Sequence, residues 1–406
     1  MISLSKLKKV KGTIKAQPSD FIVKEITLNG IVLELDKNYS NADLGLESKE
    51  GKFVIFVMQK ENWNTIQALR EIAKAQGRGI KSVGFAGTKD RRTVSVQLCS
   101  IFGASPEKIL STHIKDIKIN GAWPSDKEVK MGDLLGNRFA ISVNTDIKNS
   151  YIENVLTDLK GFFPNYFGAQ RFGTRNNNID VGIKLLKQDY EGAVREFLTN
   201  TTNEHNLDAI EARERLSNEW NFSKALEYFP KYLKYERMII NYLSKYPRNY
   251  ANAILKLPRS LSLMFIHSVE SYIFNRELEI LLENSHIMPQ KGDKVCGKNS
   301  YGFPNLSDIK ILSESDKLED FFLVGNIVGY DTKSITDTEK SIMEELDINE
   351  EMFKLKGIPP LSCKGSHRVL FAPFKDFAYE EASSRFSFSL PAGAYATVLL
   401  NEFIEE

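Results

Sequence analysis

The stretch G-F-A-G-T-K-D-R-R, residues 84–92, decides the fold of this chain. It places one carboxylate, Asp90, in a glycine-bearing turn between two apolar segments, 83–86 and 93–101, which predict strands. Lys89 precedes the acid and two arginines follow it. Nearby positive charge favours the ionised form of an acid. We interpret Asp90 as a reactive carboxylate among cations that suit a polyanionic substrate, although an aspartate that only bonds its own turn would give the same local pattern.

The residues before this turn predict a strand and then a helix. Residues 52–60 are β-branched and aromatic, as in a buried strand. Asn62 and Asn64 can cap the helix that follows, and its apolar residues recur at helical spacing until Gly77 ends it. Asp90 is therefore expected at a strand end beside a helix, where rigid elements can place a side chain accurately.

The rest of the chain divides into strand-rich ends and a helical middle. Further strands are predicted at 3–10, 12–16, 21–28, 117–119, 138–143, 366–371 and 385–390, with a helix at 148–160. Helices are predicted at 180–188, 191–198, 205–217, 231–245, 250–257, 259–284 and 338–346. Short strands and loops are expected from 292 to 330. The C-terminal strand and helix could complete the sheet of the N-terminal unit.

Charge is segregated along the chain although the total is near zero. The 406 residues are 42% hydrophobic and 26% charged, with a formal net charge of +1. Residues 70–92 hold seven basic and two acidic side chains, whereas 311–351 hold three lysines and twelve acids. A segregated field can steer an anionic ligand even when the net charge is small. Each run could equally be a solvated face.

The sequence predicts no metal site and no membrane span. Cys99, Cys296 and Cys363 are far apart, and neither they nor the five histidines show ligand spacing. They indicate a reducing compartment, so we expect a cytoplasmic protein. No apolar run approaches the roughly 20 residues that a spanning helix needs. A phosphate-binding loop is also disfavoured, since Thr88 separates Gly87 from the lysine that such a loop requires next to glycine.

Two further motifs suit contacts to a nucleic acid. In G-N-R-F at 136–139, Asn137 could hydrogen-bond a base edge and Phe139 could stack on a displaced base. A capping turn with a core phenylalanine explains the same residues. The block N-Y-F-G-A-Q-R-F-G at 165–173 reads as a recognition loop in which Gln170 and Arg171 reach substrate, as an aromatic plug at a domain junction, or as both.

Four ordered blocks together resemble one family. They are D-F-I-V-K-E at 20–25, A-G-T-K-D at 86–90, the block at 165–173 and L-P-A-G-A-Y-A-T-V-L-L at 390–400. In this order they resemble the TruD family of tRNA pseudouridine synthases, and the longer archaeal and eukaryotic-type members in length. The resemblance implies an α+β pseudouridine synthase fold, a mixed, mostly antiparallel sheet with flanking helices, interrupted by a largely helical insert. It implies a catalytic domain of 1–165 plus 367–406 and an insert domain of 166–366.

The resemblance also assigns roles to residues. It makes Asp90 catalytic and places Asn137 and Phe139 in the active site. Lys24 is the basic residue of the first block. Tyr395 stands where bacterial members often carry phenylalanine, which leaves its role open between packing and contact to the base. The remaining substrate-binding residues that we expect are Lys89, Arg92, Phe167, Gln170 and Arg171.

The expected function is isomerisation of uridine to pseudouridine in tRNA, and the resemblance implies position 13 as the target. No cofactor is expected, because no group enters or leaves the substrate. The expected partner is tRNA, with no obligate protein partner. The alternative is an RNA-binding tRNA chaperone of the same fold whose catalysis is dispensable. An intact Asp90 in its full motif favours the enzyme.

Overall fold

The protein is described by a computed structural model over residues 1–14 and 17–405. Its strands are β1 Val10–Ile14, β2 Phe21–Ile26, β3 Phe53–Glu61, β4 Val83–Phe85, β5 Val94–Phe102, β6 Ile117–Ser125, β7 Gly136–Thr145, β8 Phe162–Pro164, β9 Lys294–Lys298, β10 Pro304–Ile311, β11 Phe322–Ile327, β12 Ser366–Val369, β13 Phe371–Pro373, β14 Lys375–Glu380, β15 Arg385–Pro391 and β16 Ile404–Glu405. Its helices are α1 Thr65–Ala75, α2 Pro106–Leu110, α3 Asn149–Leu159, α4 Asn178–Leu186, α5 Tyr190–Thr199, α6 Leu207–Glu219, α7 Phe222–Tyr228, α8 Lys234–Lys245, α9 Tyr250–Ile254, α10 Arg259–Glu283, α11 Asp337–Glu345 and α12 Ala396–Leu400.

The largest sheet is built from both ends of the chain. Its main path runs β14-β15-β7-β2-β5-β3-β6, with β1, β4 and β16 attached at its side. The pairs β2–β5 and β1–β16 are parallel, and the other pairs of this sheet are antiparallel. The predicted mixed, mostly antiparallel sheet and the α+β class are therefore confirmed. The C-terminal return also joins this sheet as expected, since β15 pairs with β7 along its whole length.

The middle of the chain forms a helical body with a small sheet of its own. Helices α4–α10 come first in the chain, and a four-stranded sheet in the order β10-β9-β11-β12 follows with α11. Apolar side chains of these helices form one core, with Phe265, Ile266 and Val269 of α10 fully buried in it. The insert is thus largely helical. The domain boundaries stay a prediction, and β12 pairs with β11 of the insert sheet.

The elements around the Asp90 turn follow the predicted pattern closely. The helix begins after Asn64, whose side chain accepts a hydrogen bond from the Ile66 amide at 2.9 Å. The buried face of α1 packs on β3 and β5 through Leu69 and Ile72. Such a cap is worth about 1 kcal/mol. The turn therefore lies between elements that are fixed by their own core.

Some predicted elements differ in the structure. The strand predicted at 3–10 is wrong, because the chain there is irregular and its Leu4 and Ser5 amides donate to the Glu402 carboxylate instead of to a strand. The strand predicted at 12–16 begins earlier, as β1, and residues 15 and 16 lie outside the described residues. Helix α7 and strand β14 were not predicted. Among the described residues, no helix combines the length and apolar character needed to cross a bilayer.

Candidate active site

The Asp90 side chain is exposed on the loop that joins β4 to β5. Arg91 and Arg92, which follow it, are exposed as well. The loop starts from a strand that pairs antiparallel with β5 from Val83 to Phe85. The carboxylate is therefore open to a ligand while both ends of its loop are anchored in the sheet.

Hydrogen bonds from β3, from β5 and from within the loop fix the backbone of this loop. Lys60 Nζ, on β3, donates to the Asp90 carbonyl at 3.0 Å, and Thr93 Oγ1 donates to the same oxygen at 2.9 Å. Gln97 Nε2, on β5, donates to the Gly87 carbonyl at 3.0 Å. These contacts hold the residue that carries the carboxylate, which is how an accurate reactive geometry is maintained.

The first residue of α1 adds a further contact. Thr65 Oγ1 accepts a hydrogen bond from the Lys89 amide at 2.9 Å and lies 3.1 Å from Gln97 Oε1. Thr65 is fully buried, so water does not compete with these bonds. The helix start, β3 and β5 thus converge on three loop residues, Gly87, Lys89 and Asp90.

Lys89 lies in the interior. Its Nζ forms an ion pair with Glu25 Oε2 of β2 at 2.9 Å, and their side chains are 4% and 1% exposed. Glu25 Oε1 also accepts a hydrogen bond from the Leu98 amide at 3.0 Å. A lysine so enclosed cannot contact phosphate directly in this conformation. Its place instead ties the Asp90 loop to β2.

Asn137 lies opposite Glu25 across the β2–β7 pair. Cross-strand partners share a face of the sheet, so the structure brings Asn137 to the buried Lys89–Glu25 pair. Within the described residues, its Oδ1 is buried and has no hydrogen-bond partner. A buried polar atom without a partner is unusual and calls for an explanation. The atom is enclosed in this conformation, so a ligand could bond to it only after the Asn137 side chain turned.

Phe139 lies in the core. It is 8% exposed and packs edge-on against Phe21, with ring centroids 6.2 Å apart, and against Phe388 at 5.7 Å. It shares a sheet face with Asn137, two residues earlier on β7. The contacts of Phe139 are therefore those of a core phenylalanine, which was one of the two alternatives from the sequence. Its ring nevertheless lies next to Asn137.

Phe167 and Arg171 meet at a second cluster that also contains Tyr395. The Arg171 guanidinium lies 5.1 Å from the centre of the Phe167 ring, and the Tyr395 ring lies edge-on to that ring at 6.4 Å. Gln170 is exposed on the short 3-10 helix of the same block. Four of the predicted residues thus gather at one place.

Arg368 organises this second cluster and was not predicted. Its guanidinium donates to Asn165 Oδ1 at 2.6 Å, to the Asn165 carbonyl at 3.1 Å and to the Gly393 carbonyl at 2.9 Å. It also lies 4.3 Å from the centre of the Phe167 ring. The sequence gives no local signal for this, because Arg368 meets Asn165 across some two hundred residues.

Lys24 is separate from the Asp90 group. It is the neighbour of Glu25 on β2, so the two side chains leave opposite faces of the sheet. Its Nζ pairs with the Glu34 carboxylate. Arg92 is exposed, and among the described residues no carboxylate forms a salt bridge with it. Of these two cations, Arg92 is the one placed beside Asp90.

A cleft of about 680 Å³ adjoins the second cluster. Asp90 is not among the residues that line it, although Leu134 and Leu135, shortly before Asn137, are. The cationic lining residues come from the insert and from the chain that returns to the large sheet; they are Arg171, Arg259, Lys364 and Arg368. This wall suits phosphate groups.

One side-chain trio in the described residues has metal-ligand chemistry. The donor atoms of His267, Glu270 and Cys363 lie within 4.8 Å of one another. His267 Nδ1 is 2.6 Å from Glu270 Oε2, so the pair is already hydrogen-bonded, and burial raises the pKa of the Cys363 thiol to about 12. A neutral thiol is not a metal ligand until it loses its proton. The absence of a metal site stays a prediction.

Comparisons with known proteins agree on one family. The family model described as tRNA pseudouridine synthase D (TruD) matches residues 2–403. The chain is 33% identical to "Probable tRNA pseudouridine synthase D" of Thermococcus sibiricus, over 99% of this chain and 97% of that one. It is also 33% identical to "Probable tRNA pseudouridine synthase D 2" of Methanococcus maripaludis, over 98% and 96%.

A solved structure agrees with these relatives. The crystal structure of a Methanosarcina mazei protein with the same TruD designation superposes with a TM-score of 0.76 at 28% identity. The match covers 100% of this chain and 96% of that one. The chain belongs to the TruD family of tRNA pseudouridine synthases.

Proposed function

We propose, from its membership of this family, that the protein isomerises uridine to pseudouridine in tRNA, at position 13, with Asp90 as the catalytic residue. The observation that carries the proposal is an exposed carboxylate on a loop whose backbone is fixed by buried hydrogen bonds. A loop that served only as a turn would not need three buried side chains to hold its backbone. Here the Lys60 ammonium, the Thr65 hydroxyl and the Gln97 amide all bond to backbone groups of the loop. Fixed placement of one reactive group is what catalysis by orientation requires.

The proposed reaction uses a carboxylate of the protein and no reactant other than the tRNA. The N1–C1′ bond breaks, the uracil turns, and C5 joins C1′, so the substrate and product have the same atoms. Carboxylates serve glycosidic chemistry by attacking an oxocarbenium-like centre or by stabilising it. Asp90 acts by attack at C1′, by attack at uracil C6 or by removal of a ribose proton. Once its side chain turns, the Asn137 Oδ1 is suited to accept a hydrogen bond from the uracil N3–H.

The uracil must leave its stack before it can react, at a cost of a few kcal/mol. The cations of the cleft, Arg171 and Arg368 among them, offset this by binding phosphates, and Phe167 and Tyr395 offer ring faces or edges near them. Phe139 supports the base pocket from the core side. Gln170 and Arg92 are exposed and can reach RNA from opposite walls.

The same proposal covers the organisation of the protein. Residues 1–165 and 367–406 form the catalytic domain, 166–366 form the insert, and tRNA binds between them. No metal, cofactor or obligate protein partner takes part. The protein acts in the cytoplasm, where its three cysteines, all buried and free, remain reduced.

The test is turnover on a defined substrate. The protein is incubated with an unmodified tRNA transcript, and pseudouridine is mapped by carbodiimide-dependent primer extension. A stop at position 13 is expected, and a transcript with cytidine at 13 should give none. Faster tRNA refolding without any pseudouridine would instead support the chaperone alternative and refute the enzyme.

A further inference from the structure

Lys60 is a buried lysine without a carboxylate partner. It is 1% exposed and lies near the end of β3, between Ser95 of β5 and Ile117 of β6. Among the described residues, no carboxylate oxygen lies within 4.0 Å of its Nζ. Its recorded hydrogen bond is the one that it donates to the Asp90 carbonyl at 3.0 Å. Lysine is almost never fully buried unless it is paired, so this position demands a reason other than packing.

Lys89 provides the internal comparison. It is buried beside Lys60, but Glu25 neutralises it at 2.9 Å. Glu25 therefore pairs with Lys89, and the ammonium of Lys60 bonds the Asp90 carbonyl instead of a carboxylate. An apolar side chain of similar length would fill the Lys60 position without the desolvation of an ammonium. A charged donor occupies this position instead, where it meets the Asp90 carbonyl.

The ionisable groups around Lys60 oppose one another. Burial, followed by the positive charge of Lys89, lowers the pKa of Lys60 to about 8, while Asp90 and Cys99 act in the opposite direction. Cys99 is fully buried on β5, and burial holds the pKa of its thiol well above the usual range. Asp90 is thus the anionic group of the loop that faces the ammonium, with Glu25 lying behind Lys89.

We propose that Lys60 is a positioning residue for the reaction: its ammonium holds the Asp90 carbonyl and so sets the direction in which the Asp90 carboxylate enters the active site. This inference rests on the proposed function. Lys60 acts through Asp90, because a side chain with 1% exposure does not contact substrate. A hydrogen bond with a charged donor is roughly twice as strong as a neutral one, so the protonated lysine is the form that holds the loop.

The protonation of Lys60 gives the proposal a distinctive pH dependence. Activity should fall as pH rises through about 8, where the ammonium loses its charge. Stability should change in the opposite direction. The pKa is lower in the folded protein than in the unfolded chain, so between about 8 and 10.5, the usual pKa of a lysine, the unfolded chain binds more protons. The contribution of Lys60 to stability therefore rises with pH in that window.

The test replaces Lys60 by methionine, which is similar in shape and has no charge. Single-turnover rate at saturating enzyme should fall about 10- to 100-fold, the equivalent of one lost hydrogen bond to a charged group. The affinity for tRNA and the melting temperature should not fall. Lys60→Gln, which keeps a neutral donor, should be intermediate in rate and should lack the decline near pH 8.

The matched control is Lys118→Met. Lys118 pairs with Gln59 across β3 and β6, so it leaves the opposite face of the same sheet, where its Nζ pairs with Asp36. This variant should retain the wild-type rate and the wild-type decline near pH 8. Deprotonation of the uracil itself would lower the rate of every variant at high pH. A decline near pH 8 that is present in the wild type and Lys118→Met but absent without Lys60 is therefore due to Lys60.

Amide hydrogen exchange provides a readout that does not depend on activity. In Lys60→Met, residues 86–93 should exchange faster than in the wild type, while β3 and β5 keep their protection. Wild-type rates in the variant, or an unchanged exchange of 86–93, would overturn the proposal. A lower melting temperature with a proportionate loss of active protein would make Lys60 merely structural. If the wild type makes no pseudouridine, the proposed function fails, and exchange alone decides whether Lys60 holds the loop.

Discussion

The two walls of the proposed site are supported in different ways. The loop at 86–93 is held by side chains from Lys60 to Gln97, which are near neighbours in sequence and largely buried. The block at 165–173 is held from far away: Asn275 of α10 bonds both the amide and the carbonyl of Phe167, at 2.9 and 3.1 Å, and Arg368 bonds Asn165. The first wall is fixed within the catalytic sheet. The second exists only where the insert meets the returning chain.

This difference separates placement of the acid from capture of the RNA. A change in the Asp90 loop should alter the rate of the bound complex, because the loop carries the proposed catalytic carboxylate. A change in the recognition block should alter binding and stability together, because the same contacts join the insert to the sheet. The following predictions test this division, from the largest expected effect to the smallest.

Asp90→Asn should lower pseudouridine formation roughly 10⁴-fold or more, as loss of a catalytic nucleophile often does. The side chain is exposed, so folding should be unchanged. Binding should survive, because the change removes a negative charge from a site for phosphate. Single-turnover assays on an unmodified transcript measure this, with Asp126→Asn as the exposed control in the same domain. A variant that kept a tenth of wild-type turnover would exclude Asp90 from catalysis.

Lys89→Met should destabilise the fold by about 3–5 kcal/mol, because it leaves the Glu25 carboxylate buried and unpaired. The double variant Glu25→Gln, Lys89→Met should recover much of this, since the amide can still accept from the Leu98 amide. Urea unfolding of the wild type, of Lys89→Met and Glu25→Gln singly, and of the double variant gives the coupling energy. A cost below about 1 kcal/mol for Lys89→Met would mean that the ion pair does not anchor the loop.

Arg368→Ala should lower kcat/KM about tenfold and the free energy of unfolding by about 1.5–3 kcal/mol, because bonds from a charged donor to Asn165 and Gly393 are lost. Arg368→Lys keeps the positive charge but lacks the planar guanidinium with its fixed set of donors. Compared with Arg368→Ala, it should therefore restore the salt dependence of binding but little of the free energy of unfolding. Chemical unfolding and binding titrations measure the two effects. Loss of single-turnover rate with normal binding would contradict the division between the walls.

Arg92→Ala should weaken tRNA binding only a few-fold and make its salt dependence shallower by about 0.9 in the logarithmic slope for one lost phosphate contact. Stability should change by no more than about 0.5 kcal/mol, since the side chain is exposed. Fluorescence anisotropy at several salt concentrations measures both quantities. Lys333→Ala, an exposed lysine in the acidic segment 311–351, is the control and should change neither. A slower single turnover would show that Arg92 acts on Asp90 itself.

Removal of metal should have no effect on the rate. Turnover in EDTA is expected to equal that in its absence, provided that magnesium is not needed to keep the tRNA folded. Circular dichroism of the tRNA under both conditions controls for this. If a transition metal restored lost activity, the trio of His267, Glu270 and Cys363 would be the first place to look for it. Replacing Cys363 by serine would then identify the site.

The sequence located the acid because its surroundings are local. Glycine turns, strand patterns and a capped helix within about fifty residues were enough to place Asp90 at a strand end between β4 and β5, and the structure shows that it is exposed there. The same patterns predicted most helices of the insert. They failed at 3–10, where the carboxylate of Glu402, from the far end of the chain, accepts hydrogen bonds from the Leu4 and Ser5 amides. Helix α7 was missed because it is short and lies between two longer helices.

The sequence by itself determined the fold class, the family and the turn that carries Asp90, because these depend on periodicity, turn chemistry and ordered motifs. Only the tertiary structure decided what the cations do. Lys89, Lys24 and Arg92 all look alike as basic residues near motifs, yet one is buried against Glu25, one leaves the opposite face, and one is exposed beside Asp90. The physical reason is that the effect of a charge depends on burial and on partners. Those partners come from strands that pair across long stretches of chain.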